Sequence, residues 1–347
     1  MESSNAGPTT PNPSSELSKA LKGLLFPIFF IVMFTVCYIS AFHNPTPHNV
    51  KVAIIGPPEQ TTAMIEALAP SVAGSFKISQ IATTEEAQRA IRDRKVFGAL
   101  ELTTPPTLYY ASGNGSGVNG AVQGLFRSLA AQQGQPLTIV DLVALPKGDL
   151  SGTGIFYFAI ICTLAGYLTV TVLGQSAPNL DPLVRLGLIA GIAIFAPVVI
   201  YLIGGVGMGI FDVSASKAVA LIAIGALYAF GIGVVARALQ LILGQAAVIA
   251  MMTIFVFLNF PSSGGAIQYE MLPSFWRFFN HFWIGASLVG ALRSLLFFDN
   301  QDLWKHLAVL LAWIVGWLAV LALPIHRIRH PKPAGDLEIA TIPSPVN

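Results

Sequence analysis

Apolar residues along this chain fall into two unequal blocks. One lies near the N-terminus, Leu24 to Ala41. A stretch of about 110 residues with mixed polar and apolar positions follows, and from Ile155 to Ile325 the chain is almost continuously apolar. A helix crossing the ~30 Å hydrocarbon core needs about 20 apolar residues. The pattern predicts spans at Gly23–Ala41, Ile155–Leu173, Leu186–Ile203, Ala218–Val235, Ala246–Phe260 and Leu303–Ile325, the fifth beginning near Leu241. A further apolar, aromatic stretch, Phe275–Phe298, carries Arg277, His281 and Arg293. It reads as an interfacial or re-entrant helix, with a seventh ordinary span as the alternative. The expected fold class is an α-helical polytopic membrane protein of six spans, one plus five, with a small external α/β domain between spans one and two.

That domain, residues 43–152, alternates strand and helix signals. Lys51–Gly56 reads as a buried strand ending in a turn, Gln60–Leu68 has helical apolar spacing, and Phe76–Ile81 alternates like a strand. Thr84–Arg94 opens on Thr-Glu-Glu, a helix start. Val96–Leu102 and Leu108–Ala111 read as further strands and Val118–Gln132 as a further helix. About 110 residues can bury one core of this layered kind.

Composition agrees with the pattern: 54% of residues are hydrophobic and 10% charged, against roughly a quarter charged in soluble domains. Basic residues bordering the blocks set the orientation. Lys19, Lys22, Arg185, Arg237, Arg327, Arg329 and Lys332 fall on one side, with the cluster His326–His330 right after the last span; Lys217, Arg277, Arg293 and Lys305 fall on the other. Both termini are therefore expected in the cytoplasm and residues 43–152 outside. The expected layout is a disordered cytoplasmic tail over 1–18 and a first helix over 19–42. The external domain follows over 43–152, then a five-span membrane domain over 153–326 with an interfacial or re-entrant segment over 261–302. A cytoplasmic tail over 327–347 completes it. The first block is read as an uncleaved anchor rather than a signal peptide, because no small-x-small cleavage site follows it.

Several function classes lack their residues. The net charge of +2 and the absence of a basic cluster interleaved with aromatics argue against nucleic acid as a partner. No H-E-x-x-H, G-x-S-x-G or C-x-x-C occurs, so no catalytic residue, metal site or cofactor is assigned, and the chain is not read as an enzyme. Cys37 and Cys162 sit inside apolar segments as packing residues. The histidines lie at segment edges. Spans nearly free of Asp and Glu lower the case for a proton-driven pump. The loop Ser112-Gly113-Asn114-Gly115-Ser116-Gly117 precedes a helix but lacks the Gly-Lys-Ser/Thr ending of a phosphate loop, and reads as a flexible surface turn. Asn114-Gly115-Ser116 is formally a glycosylation sequon. Gly187/Gly191, Gly205/Gly209, Ala286/Gly290 and Ala312/Gly316 are spaced for close helix contact, within one chain or across a dimer. Pro197 is expected to kink the third span.

The end of the fifth span reads Asn259-Phe260-Pro261-Ser262-Ser263-Gly264-Gly265-Ala266 and continues through Leu272-Pro273-Ser274-Phe275-Trp276-Arg277. A helix broken at Asn-x-Pro and Gly-Gly frees backbone groups that need water or protein partners. Pro273 then opens an amphipathic helix. One span, an external domain, five spans and a Pro/Gly break before an x-Leu-Pro-x-aromatic helix resemble the membrane subunits of type-2 ABC exporters. The likeness is nearer to the YhgE/Pip and DUF3533 branch of that clan, with Pro261, Gly264, Gly265, Leu272, Pro273 and Ala291-Leu292-Arg293 carrying the match. The resemblance implies a permease in a bacterial plasma membrane that exports an amphipathic or lipid-like molecule. It also implies a homo- or heterodimer in the lipid bilayer and a possible separate ATPase subunit. Gly174–Arg185, where such exporters dock their ATPase, is short here, which puts that coupling in doubt. Asn259, Pro261, Gly264 and Gly265 are the candidate transport gate, or equally a helix end capped for structural reasons. The alternative function is a non-transporting envelope scaffold or receptor whose external domain binds a partner; a membrane enzyme is a third, weaker reading.

Overall fold

The computed structural model describes residues 13–323. The expected C-terminal tail, with its basic cluster at His326–His330, and residues 1–12 of the expected N-terminal tail lie outside the described residues. The chain is mostly helical, with five helical stretches long and apolar enough to cross a membrane: Glu16–Phe42, Gly154–Ser176, Pro182–Gly207, Ala215–Ser262 and Leu303–Ala322. The first helix, α1 (Pro13–Phe34), starts earlier than expected, so the last residues of the expected tail are helical. It continues through a wide π-type turn at Thr35–Ile39 to Phe42.

The polar stretch folds as an α/β layer domain. Its elements are β1 (Val50–Ile55), α2 (Pro58–Leu68), β2 (Phe76–Ile81), α3 (Thr84–Arg92), β3 (Gly98–Glu101), β4 (Thr107–Tyr110), α4 (Ser116–Gln132) and β5 (Thr138–Asp141). The sheet order is β2-β1-β3-β4-β5, parallel except for the β3–β4 hairpin. Two parallel crossovers through α2 and α3 bury β1 between neighbours, which is why Val50, Val52, Ala53 and Ile54 are all fully buried. The α3 N-terminus is capped by Thr83, whose side chain accepts from the Glu86 N–H at 3.3 Å. The expected elements are all present, except that α3 stops at Arg92 and β5 was not anticipated. Four residues at a sheet edge, with burial alternating only weakly, leave little periodicity to detect.

The apolar block builds α5 (Gly154–Ser176), α6 (Pro182–Ile200), α7 (Ala215–Leu243) and α8 (Ala247–Met252). Asp181 caps α6, accepting from the Leu183 N–H at 2.8 Å, with Pro182 at the first position. Pro197 lies inside α6, which widens into a π-type stretch at Tyr201–Gly207. The α7 helix is the hub of the largest core: Leu221, Tyr228, Ala229, Ile232 and Val235 are buried against α5, α6 and the last helix. Small residues allow this crowding. A Cβ on Gly225 would come 2.5 Å from Phe158, and one on Gly166 would come 2.6 Å from the Ala229 carbonyl.

Ala215–Ser262 is 48 residues, far beyond one crossing. Gly244, with φ 59°, breaks it. Asn259 hydrogen-bonds Tyr228 at 2.9 Å across 31 residues of sequence, where a straight helix would separate them by roughly 46 Å at 1.5 Å per residue. The two halves therefore fold back on each other about Gly244. The returning half runs through α8, a π-type stretch at Thr253–Leu258 and a last turn at Asn259–Ser262. There α1 packs: Phe29 and Phe30 meet the Phe257 ring at 5.8 and 5.4 Å, and Tyr38 donates to the Val256 carbonyl at 3.2 Å.

The stretch expected as one interfacial or re-entrant helix is two helices, α9 (Ser274–Asn280) and α10 (Ile284–Phe297), before α11 (Leu303–Ala322). The short α9 exposes Phe275 and Phe278, as an interfacial helix would. The α10 helix is packed inside the chain. Ile284, Leu288, Ala291, Leu292 and Arg293 are all buried, so it is enclosed by protein. Of the small-residue pairs, Ala286/Gly290 packs inside the chain, the His306 ring occupying the space beside Gly290. Gly187, Gly191 and Gly316 have no atom of a neighbouring element within 4 Å of a Cβ.

Candidate functional site

The four residues expected at the gate come together at the break, and all four are buried. Asn259 lies at the donor end of a buried polar chain, and its own Oδ1 is buried without a partner among the described residues. Thr163 Oγ1 donates to the Ala159 carbonyl at 2.7 Å and lies 2.6 Å from Tyr228 Oη, while Asn259 Nδ2 donates to Tyr228 Oη at 2.9 Å. Because the threonine proton is committed to Ala159, the tyrosine proton points to Thr163 Oγ1. The order of donation is then Asn259, Tyr228, Thr163, Ala159. Tyr228 and Thr163 were not singled out from sequence, since one hydroxyl in an apolar helix gives no periodic signal. A side chain on Gly285 would overlap the Asn259 amide.

Beyond Pro261 the freed backbone groups are taken up by side chains. Asn280 Nδ2 donates to the Ser262 carbonyl at 2.7 Å, Arg293 donates to the Gly264 carbonyl at 3.2 Å, and the Gly265 N–H donates to Ser263 Oγ at 3.2 Å. Gly264 has φ 74°, where a Cβ is strained. Gly265 lies against Phe156, whose ring would be 2.7 Å from an added Cβ. The backbone groups of Ser262, Gly264 and Gly265 named here are thus matched by side chains.

The same segment bolts the α/β domain to the helices. The α4 helix begins after Gly115, φ 112°, without a side-chain cap of its own. Gln268 supplies one across 150 residues, its Oε1 accepting from the Val118 N–H at 3.2 Å. The His48 N–H donates to the Glu270 carbonyl at 2.8 Å, and Met271 enters the domain core. The loop expected to be a flexible surface turn is therefore a docking turn: Gly113 lies against Phe297, and Gly115 and Gly117 against Gln268. Asn114, the sequon residue, is 2% exposed. The helix start that invited a phosphate-loop reading is filled by Gln268. The Arg94 guanidinium sits 5.1 Å over the Phe298 ring. Burial lowers its proton affinity, with Glu270 and Asp302 opposing that. Burial likewise raises the Glu270 carboxyl, with Arg94 and Arg293 opposing.

An apolar cleft of about 710 Å³ opens between α5 and α6, lined by Tyr157, Phe158, Ile161, Ala165, Ile192 and Phe195 among others. Tyr157, Ile161, Ile192 and Phe195 are exposed, so the cleft faces sideways out of the bundle. Its domain end holds Asp149, a residue that sequence reading passed over. The Asp149 carboxylate accepts from the Gly154 N–H at 2.8 Å and the Thr153 N–H at 3.0 Å, at the start of α5. A mostly apolar cleft with one polar end suits a molecule with an apolar body and a polar head. No group of three or more His, Cys, Asp or Glu that could hold a metal occurs among the described residues. Both cysteines are free, buried and part of apolar clusters.

Comparison with family models, curated proteins and solved structures finds no match to this chain.

Proposed function

We propose that this chain is a multi-pass permease of the exporter type that moves an amphipathic or lipid-like molecule through a bacterial plasma membrane. In this reading the Ala215–Ser262 hairpin crosses twice, giving six crossings, one plus five. Both termini are cytoplasmic and the α/β domain lies outside, following the basic residues at the helix borders. The observation that carries the reading is the sideways-open apolar cleft ending at Asp149 beneath the domain. A partner-binding scaffold gives no reason for such a cleft, and the domain bolted down through Gln268 and Met271 is no freely hinged receptor module. The connection between α5 and α6 is only 177–181 and carries no helix, so the reading assigns no ATPase contact there. Asn259, Pro261, Gly264 and Gly265 act as the wall that positions α10 rather than as the moving part. The protein works as a dimer, with Gly187 and Gly191 presented outward.

The test is transport by the reconstituted full chain, using a fluorescent short-chain phospholipid. Ala165→Trp fills the cleft from a partly exposed position. It is expected to abolish movement of the probe while thermal unfolding stays near wild type. Undiminished movement in that variant, or none by the wild type, rejects the reading.

A further inference from the structure

At the end of the helices away from the domain lies a second cavity, about 510 Å³, enclosed by the end of α5, the start of α6 and the turn between α7 and α8. Its lining includes Arg185 and Arg237 and no acidic residue. Arg185 is 2% exposed. One nitrogen, Nη2, donates to the Ala177 and Pro178 carbonyls at 2.7 and 3.1 Å, while Nε and Nη1 are buried without a partner among the described residues. Arg237 donates from Nη1 to Gln240 Oε1 at 2.8 Å. Gln240 itself reaches in because position 174 is glycine, where any side chain would overlap its amide. Val248 and Met251 supply an apolar wall.

Two guanidinium groups without a carboxylate between them repel each other, and an idle buried N–H carries its full desolvation penalty. A planar guanidinium fork matches the oxygens of a phosphate with two parallel bonds. We propose that this cavity binds a phosphate group, with Arg237 donating to it and the Arg185 guanidinium in the cavity wall adding its charge. A phosphate anion seated beside Val248 and Met251 is the head of a phospholipid or a free phosphate. Basic pockets between helices at the membrane border hold lipid headgroups in this manner. The inference depends on the helices lying in a membrane and is independent of transport.

The experiment is thermal unfolding of the detergent-solubilised full chain. Phosphatidylglycerol, diacylglycerol as an uncharged control, and inorganic phosphate against chloride at equal ionic strength are titrated separately. A rise in Tm with phosphatidylglycerol and not with phosphate or diacylglycerol assigns the site to a lipid headgroup. An equal rise with inorganic phosphate assigns it to the free anion. No rise with either overturns the proposal. Arg185→Gln also removes the bonds to Ala177 and Pro178, so the deciding variant is Arg237→Gln, which leaves that loop intact. It is expected to weaken the apparent affinity about tenfold, the order of losing one charge-assisted contact. An unchanged titration in Arg237→Gln overturns the proposal as well.

Discussion

Two of the turns in the apolar block, at Gly244 and at Pro261–Gly265, treat their polar groups differently. At Pro261–Gly265 each freed group described above has a side-chain partner from the same chain: Asn280 for Ser262, Arg293 for Gly264, Ser263 for Gly265. At the cavity beside Gly244, Arg185 keeps two buried nitrogens without a partner among the described residues. A junction whose freed backbone groups are matched is built for position, and the atom left idle beside it, Asn259 Oδ1, is an uncharged acceptor. Two guanidinium groups on one cavity repel each other, a standing cost that an anion between them relieves. At the break that resembles an exporter gate the chain matches its own backbone groups, while the turn at the far end places two guanidinium groups on one cavity.

The sharpest way to break this contrast is Arg293→Ala. Removing that side chain leaves the Gly264 carbonyl buried without its donor, so the expected loss is about 2–3 kcal/mol of folding stability. It should appear as a lower Tm in every lipid or buffer. Arg237→Gln at the other end should leave the ligand-free Tm nearly unchanged. If Arg293→Ala is neutral, or loses stability only when phosphate or lipid is present, the backbone groups of the break are not matched and the comparison fails.

Much of the architecture is visible before any coordinates. The apolar blocks mark the helices because a span needs a run of apolar residues, and β1, α2 and β2 appear with nearly their observed limits because their periods differ. The site is less legible. Asn259, Pro261, Gly264 and Gly265 attract notice because proline and glycine punctuate a helix, yet punctuation does not reveal whether the freed groups find partners. Those partners, Asn280 and Arg293, stand 18 and 29 residues away. Arg185 reads in sequence as one more border charge, and only the folded loop determines which of its nitrogens are idle. The Ser112–Gly117 loop misleads for the same reason: glycines that look like slack are the places where Gln268 and Phe297 approach.

A weaker probe of the matched end is its pH response. Burial raises the Glu270 carboxyl above its ordinary value of 4.5, although Arg94 and Arg293 oppose the shift. The folded chain then holds this proton more tightly than the unfolded chain does. The associated stability is full below about pH 4.5 and is lost as pH rises through the folded value. Glu270→Gln removes a group that must ionise. Between pH 4.5 and 7 the Tm of the wild type should therefore fall more steeply than that of the variant. Parallel curves would mean that Glu270 is solvated in solution and that the domain junction is looser than its hydrogen bonds imply.

The smallest effect on folding is expected beside the cavity end, on the outward face of α6. Gly187 has nothing among the described residues of other elements within 4 Å of a Cβ. Gly187→Leu should therefore change the stability of a single chain by less than about 0.5 kcal/mol, as exposed substitutions do. A second copy packed against Gly187 and Gly191 would be displaced by the same leucine, because close helix approach needs small residues. Mass photometry of the chain in lipid nanodiscs separates the two effects. A dimer that becomes a monomer in Gly187→Leu, with Tm unchanged, places a partner next to the Arg185 cavity and makes the far end a shared site. A dimer that persists moves the partner elsewhere and leaves the cavity to one chain and its ligand. A wild type already monomeric removes the dimer from the proposed function, while the contrast between the two turns stands, because it depends on hydrogen bonds within a single chain.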